Sequence, residues 1–115
     1  MTRRALGELE QLVLLAILAL GDEAYGASIQ REIGARTGRD VAVGAIYTAL
    51  DRLETRGAVE SSMGEPTAER GGRRRKHYSL LAIGEEDLVR SLRTMESMRR
   101  GLDDRLAGLP GGEAS

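Results

Sequence analysis

Residues 44–78 constrain this chain more than any other stretch. GAIYTALDRLETRG (44–57) places Ile46, Ala49, Leu50 and Leu53 at helical spacing and closes on Gly57, a residue suited to a helix end. AVESSM (58–63) follows with no linker and reads as a short strand. GEPTAERGGRRRK (64–76) is rich in turn residues and ends in four consecutive basic residues, and HYSLL (77–81) reads as the returning strand. A helix running straight into a hairpin with a basic tip predicts a winged helix-turn-helix. In that fold the helix enters a DNA major groove and the hairpin lies against the phosphates.

The remaining patterns are helical, so the expected fold class is mainly α with one small β-hairpin. A first helix is expected over 8–20, ended by Gly21. Leu9, Leu12, Val13, Leu15, Ala16 and Leu20 follow helical spacing, and Leu14, Ile17 and Leu18 fill the other side. A helix apolar nearly all round needs both faces covered, and a second subunit is the natural cover for Leu14 and Ile17. A second helix over 25–37 carries a buried stripe of Tyr25, Ile29 and Ile33, turns Gln30, Arg31, Glu32 and Arg36 to solvent, and stops at Gly38. The third is the helix at 43–56, joined to the second by a short turn.

A fourth helix is expected over 85–106, with Glu85, Glu86 and Asp87 at its positive end. Leu88, Leu92, Met95, Leu102, Leu106 and Leu109 form a heptad seam with one gap, filled by Arg99. Met98 could pack there while Arg99 swings to the rim. The expected organisation is a DNA-binding winged helix over 1–81, a dimerisation helix over 82–109, and a disordered tail over 110–115. The expected dimer interface is Leu14, Ile17, Leu88, Leu92, Met95, Arg99, Leu102 and Leu106.

With 115 residues the chain is one domain. Aromatic residues are 3%, with no Phe or Trp, so the core is built from aliphatic side chains, and so thin a core is often completed by a partner. The absence of cysteine excludes disulfides and thiolate metal sites. The longest apolar run, 12–20, is about half of what a membrane span needs. No signal-peptide pattern follows the first residues, and we read the protein as cytoplasmic. The net charge of −1 is unevenly spread: −1 over 1–38, +2 over 39–80, and −2 over 81–115. The positive excess falls on the third helix and the hairpin.

The candidate DNA contacts follow. Five basic residues and no acid lie within 70–76: Arg70, Arg73, Arg74, Arg75 and Lys76. Strand alternation points Arg73 and Arg75 one way and Arg74 and Lys76 the other. Gly44 lets a phosphate approach the start of the third helix, and Tyr47, Thr48 and Arg52 lie on its exposed face. Tyr47 has a second reading, half-packed on the core beside Ile46. Asp51 would repel phosphate and is read as pairing with Arg52 or Thr55. His77 is the only histidine, which makes a metal site unfavourable and leaves it as a strand residue. No nucleophile–base set and no phosphate-binding glycine motif is present, so neither catalysis nor a cofactor is expected.

Taken together, LGELEQLVLLAIL (6–18), the Tyr25-Gly26 pair, GAIYTALDRLETRG and the wing from Glu65-Pro66 through Gly71-Gly72-Arg73 to Lys76 resemble the PadR family of transcriptional regulators. The likeness is to its short form with a single C-terminal helix and spans about residues 6–106. It implies a repressor acting as a homodimer on double-stranded DNA, and a DNA-contacting role for Tyr47. Thr48 stands where the family often has Pro, and Leu81 where it often has Thr, which bears on base preference rather than fold. Some relatives hold flat aromatic compounds between subunits, but a chain without Phe or Trp has little to build that sandwich. An effector, unidentified, would be non-aromatic. The rival readings are such a ligand-sensing regulator and a winged-helix protein-interaction module that has lost DNA binding. The latter would replace the basic wing with acidic or apolar residues, the opposite of this chain.

Overall fold

The computed structural model describes residues 3–64 and 75–112. In chain order these form α1 (Glu8–Leu20), a 3₁₀ turn (Gly21–Glu23), α2 (Gly26–Thr37), α3 (Val43–Thr55), β1 (Val59–Met63), β2 (Lys76–Leu80), α4 (Ala82–Arg99) and α5 (Asp103–Ala107). The mainly α architecture with one hairpin is the expected one.

Local chemistry sets the boundaries. At the start of α1 the Glu10 carboxylate turns back to accept the Gly7 N–H at 2.7 Å, satisfying a donor with no helical partner. Gly38 ends α2 at φ 74°, a left-handed conformation that favours glycine, and its N–H donates to Gly34 O at 2.9 Å. The Gln30 amide donates to Val41 O at 2.8 Å and pins the turn into α3. Gln30, expected on a solvated face, is half-buried for this reason.

The core is one aliphatic cluster. Val13, Leu14 and Ile17 of α1 meet Ile29 and Ile33 of α2, Ile46, Leu50 and Leu53 of α3, and Val59 and Tyr78 of the hairpin. Each such side chain contributes roughly 1.5–3 kcal/mol on burial. Strands β1 and β2 pair antiparallel from Val59↔Leu80 to Met63↔Lys76. The hairpin docks on the segment between α1 and α2, where Tyr78 N donates to Ala24 O at 2.9 Å and Tyr25 bridges His77.

α4 leaves the domain at a backbone-to-backbone contact. Leu81 N donates to Ala58 O, and a β-carbon on Gly84 would fall 2.1 Å from that same oxygen, so only glycine fits. Gly84, Asp87 and Leu88 are buried there, and every described residue beyond Ser91 is exposed.

Four expectations about this framework are corrected. Leu14 and Ile17 do not face outward. They are buried in the chain's own core, and Leu15 and Leu18 are the exposed apolar residues of α1. Leu88 is likewise enclosed by its own domain. The long C-terminal helix is two helices: the chain turns at Arg100 and at Gly101 with φ 81°, and the acids Asp103 and Asp104 open α5. Residues 110–112 of the expected disordered tail form a turn in which Gly112 N donates to Leu109 O.

Candidate nucleic-acid interface

Three elements converge on one side of the domain. The start of α2, the exposed face of α3 and the base of the hairpin enclose a concavity of about 550 Å³, bordered by Tyr25, Arg31, Tyr47, Met63, Arg75 and Lys76. Its described lining carries three positive charges and no carboxylate.

Helix α3 presents the expected residues outward. Gly44, in its first turn, has open space where a β-carbon would be. Tyr47 is 44% exposed, and its ring and hydroxyl rest over Gly26 of α2. The tyrosine is half-packed, as its second reading expected, though its far end rests on Gly26 of α2, and the rest of the side chain faces solvent. The Thr48 hydroxyl donates to Gly44 O at 3.0 Å, so its methyl and an acceptor lone pair are what it offers outward. Arg52 lies further along, in a depression lined also by Arg4, Asp51, Thr55 and Arg56. Asp51 makes no hydrogen bond or ion pair with Arg52 or Thr55, contrary to expectation: all three side chains extend into solvent from the same exposed face.

Of the wing residues, Arg70, Arg73 and Arg74 lie outside the described residues. Arg75 sits with its guanidinium 4.4 Å from the centre of the Tyr25 ring. The Lys76 ammonium is 5.8 Å from the Tyr78 ring. Alternation assigns these two neighbours to opposite faces, yet both border the same concavity, because Arg75 precedes β2 and reaches across to α2. His77 places its ring edge-on to Tyr25, 5.6 Å between centres. Among the described residues no group of acids and histidines could hold a metal ion.

Tyr25 was expected in the buried stripe with Ile29 and Ile33. It precedes the helix in an extended conformation (φ −138°, ψ 168°), so helical spacing does not govern it, and its ring borders the concavity instead.

At the C-terminal end of α3 lies a charged cluster that sequence periodicity did not reveal. Asp87 of α4 is 2% exposed and accepts three hydrogen bonds from the Arg3 fork, at 2.8, 3.1 and 3.2 Å. Arg56, which caps α3, and Arg90 each approach it at 3.2 Å. Arg3 also donates to Arg56 O, and Arg56 to Arg4 O. The N-terminal arm, the end of α3 and the root of α4 are tied together at one carboxylate. Burial alone would raise the Asp87 pKa, but the Arg3 hydrogen bonds and the Arg56 charge outweigh it and hold the carboxyl below its ordinary value. Glu10 is balanced the same way: burial raises it, while Arg4 and the Gly7 N–H lower it further. In the sequence Asp87 is the last of three acids at a helix start, which dipole preference already explains, so nothing singled it out.

Among curated proteins, none matches the sequence. Solved structures match over nearly the whole chain. A PadR family transcription regulator from hypervirulent Clostridium difficile superposes with a TM-score of 0.69 at 23% identity, covering 87% of this chain and 99% of that one. A PadR-like transcriptional regulator from Bacillus cereus gives 0.67 at 23% identity, covering 88% and 93%. A solved complex of hsRosR gives 0.59 at 27% identity, covering 96% and 82%. Among the described residues no helix is long and apolar enough to cross a membrane. Residues 14–90, more than half of the chain, match the transcriptional regulator PadR-like family, and the chain belongs to it: it is a DNA-binding transcription regulator, not an enzyme.

Proposed function

We propose that the protein is a cytoplasmic repressor that binds a partly palindromic operator as a homodimer. Each subunit places α3 in a major groove through Tyr47, Thr48 and Arg52, with Gly44 admitting a phosphate at the helix start. Arg70, Arg73, Arg74, Arg75 and Lys76 hold the flanking backbone. The observation that carries this reading is the concavity where Tyr47 of α3 meets Arg75 and Lys76 of the hairpin, basic and without a carboxylate among its described lining residues. The dimer rests on the apolar residues left exposed along the C-terminal arm, Leu92, Met95, Met98, Leu102 and Leu106, with Leu15 and Leu18 of α1. An exposed apolar stripe of this length is unusual on a monomer and normal at an interface.

Selection of bound sequences from random duplex DNA, followed by sedimentation of the protein with and without the selected duplex, tests the proposal. Two half-sites about one helical turn apart and a two-subunit complex are expected. A monomer bound to a single half-site would remove the dimer, and retention of no sequence would remove specific recognition. Placing the operator upstream of a reporter gives the sign of regulation.

A further inference from the structure

The concavity at the wing base contains an arrangement that the reading helix and the wing do not by themselves explain. Two guanidinium groups from distant parts of the chain share one aromatic ring. Arg75 stands over the face of Tyr25 at 4.4 Å. Arg31, on α2, lies 5.8 Å from the same ring centre and donates from Nη2 to the Tyr25 hydroxyl at 3.0 Å. The ring attracts each cation, but the cations repel one another, and the charge of Lys76 borders the same space. Among the described residues neither arginine lies within ion-pair distance of a carboxylate. Such a cluster gains most from an anion seated between its members.

We infer that Tyr25, Arg31 and Arg75 form a clamp for one DNA backbone phosphate beside the α3 contact. Arg31 and Arg75 supply the charge. Tyr25 is a positioning residue: its ring face fixes Arg75 and its hydroxyl fixes Arg31, so both forks point into the groove without further ordering cost. The occupant is a phosphodiester of duplex DNA rather than a free anion, because the same concavity is bordered by Tyr47 on the exposed face of α3 and by the exposed Met63 of the hairpin, the two elements that the reading above sets against DNA. This rests on the DNA-binding reading above and adds to it a contact from α2, the helix that is not the reader. A phosphate contact carries no base information, so the clamp sets register and affinity but not sequence preference.

Binding of the full-length protein to its selected operator and to a random duplex, measured over a range of salt concentrations, provides the test. Arg31 is exposed, so Arg31→Ala should keep the parental melting temperature. It should shallow the slope of log affinity against log salt by roughly one unit per bound subunit, equally on both duplexes. Tyr25→Phe keeps the ring but loses the hydroxyl. It should reproduce much of the Arg31→Ala loss, and the double variant should bind no worse than Arg31→Ala alone. A surface role for Arg31, or a purely structural one for Tyr25, gives additive or absent effects. Free inorganic phosphate at millimolar concentration should compete only as general salt does; specific competition would make this a small-anion site instead. A parent that binds DNA while Arg31→Ala keeps its full slope overturns the clamp alone. A parent that binds no duplex overturns the regulator reading beneath it.

Discussion

Tyr47 of α3 lies across Gly26 of α2, so close that a β-carbon on Gly26 would fall 2.3 Å from the Tyr47 hydroxyl. The first residue of one helix thus decides where the exposed tyrosine of the next can stand. Gly26→Ala should push the far end of that flexible side chain aside without disturbing Ile46 or Leu50 beneath it. The better helix preference of alanine is worth at most about 1 kcal/mol and opposes the crowding, so thermal stability should change little. Operator affinity should fall about as far as in Tyr47→Ala. If calorimetry and binding show Gly26→Ala equal to the parent in both, the position of Tyr47 is not what DNA requires.

Thr48 offers a sharper test of base reading. Its hydroxyl proton is directed to Gly44 O, which leaves the methyl as its main outward feature and suits contact with a thymine methyl. Thr48→Val should keep the sequence preference, whereas Thr48→Ala should relax it at one position of each half-site by roughly 1–3 kcal/mol. Repeating the sequence selection with both variants separates the outcomes: a changed preference in Thr48→Val alone would mean that the oxygen, not the methyl, reads the base.

The Asp87 cluster predicts a definite acid sensitivity. Its carboxyl is held below its ordinary value in the folded state, and the unfolded chain returns it to about 3.9. The stabilisation is therefore fully present above the unfolded value and is lost as pH falls through the lower folded one. Glu10, lowered in the same sense, adds to the effect. Asp87→Asn leaves the largely buried Arg56 facing a neutral partner and should cost on the order of 3–5 kcal/mol at neutral pH. Denaturant unfolding from pH 7 down to 3 should show a flatter loss of stability in this variant. Equal pH slopes for variant and parent would place the acid response elsewhere.

These tests also show how far sequence reasoning reaches. The repeats at Ile29 and Ile33 and at Ile46, Ala49, Leu50 and Leu53 specify α2 and α3, because burial on one helix face leaves a period that can be read directly. The same logic misplaced Leu14 and Ile17. A helix apolar all round has no period to say which side meets its own domain, and only the packing of α2, α3 and α4 around α1 decides it. Tyr25 was misread because it sits one residue outside its helix. The exposed face of α3 was legible as a local pattern. The partnership of Arg3, Arg56 and Asp87 was not, since it joins residues up to 84 positions apart that are individually ordinary.

The corrected α1 and α4 surfaces make the dimer proposal testable by contrast. Leu92 and Met95 are 42% and 65% exposed, so a carboxylate at either costs the single domain little, whereas across a subunit contact it would be buried without a partner. Leu92→Asp with Met95→Asp should therefore give folded monomers with weakened operator binding. Leu14→Asp, placing a charge in the sealed core, should instead unfold the chain. Arg99→Leu should not unfold it either: Arg99 is exposed and pairs with Asp103 at 3.1 Å across the break between α4 and α5. Such an exposed pair contributes under about 1 kcal/mol, and losing it should leave the dimer no tighter unless the side chain turns inward on association. Sedimentation at micromolar concentration reads all three variants. A double aspartate variant that sediments like the parent would show that Leu92 and Met95 do not carry the subunit contact, and would move it to the other exposed apolar residues, Met98, Leu102 and Leu106 of the C-terminal arm and Leu15 and Leu18 of α1.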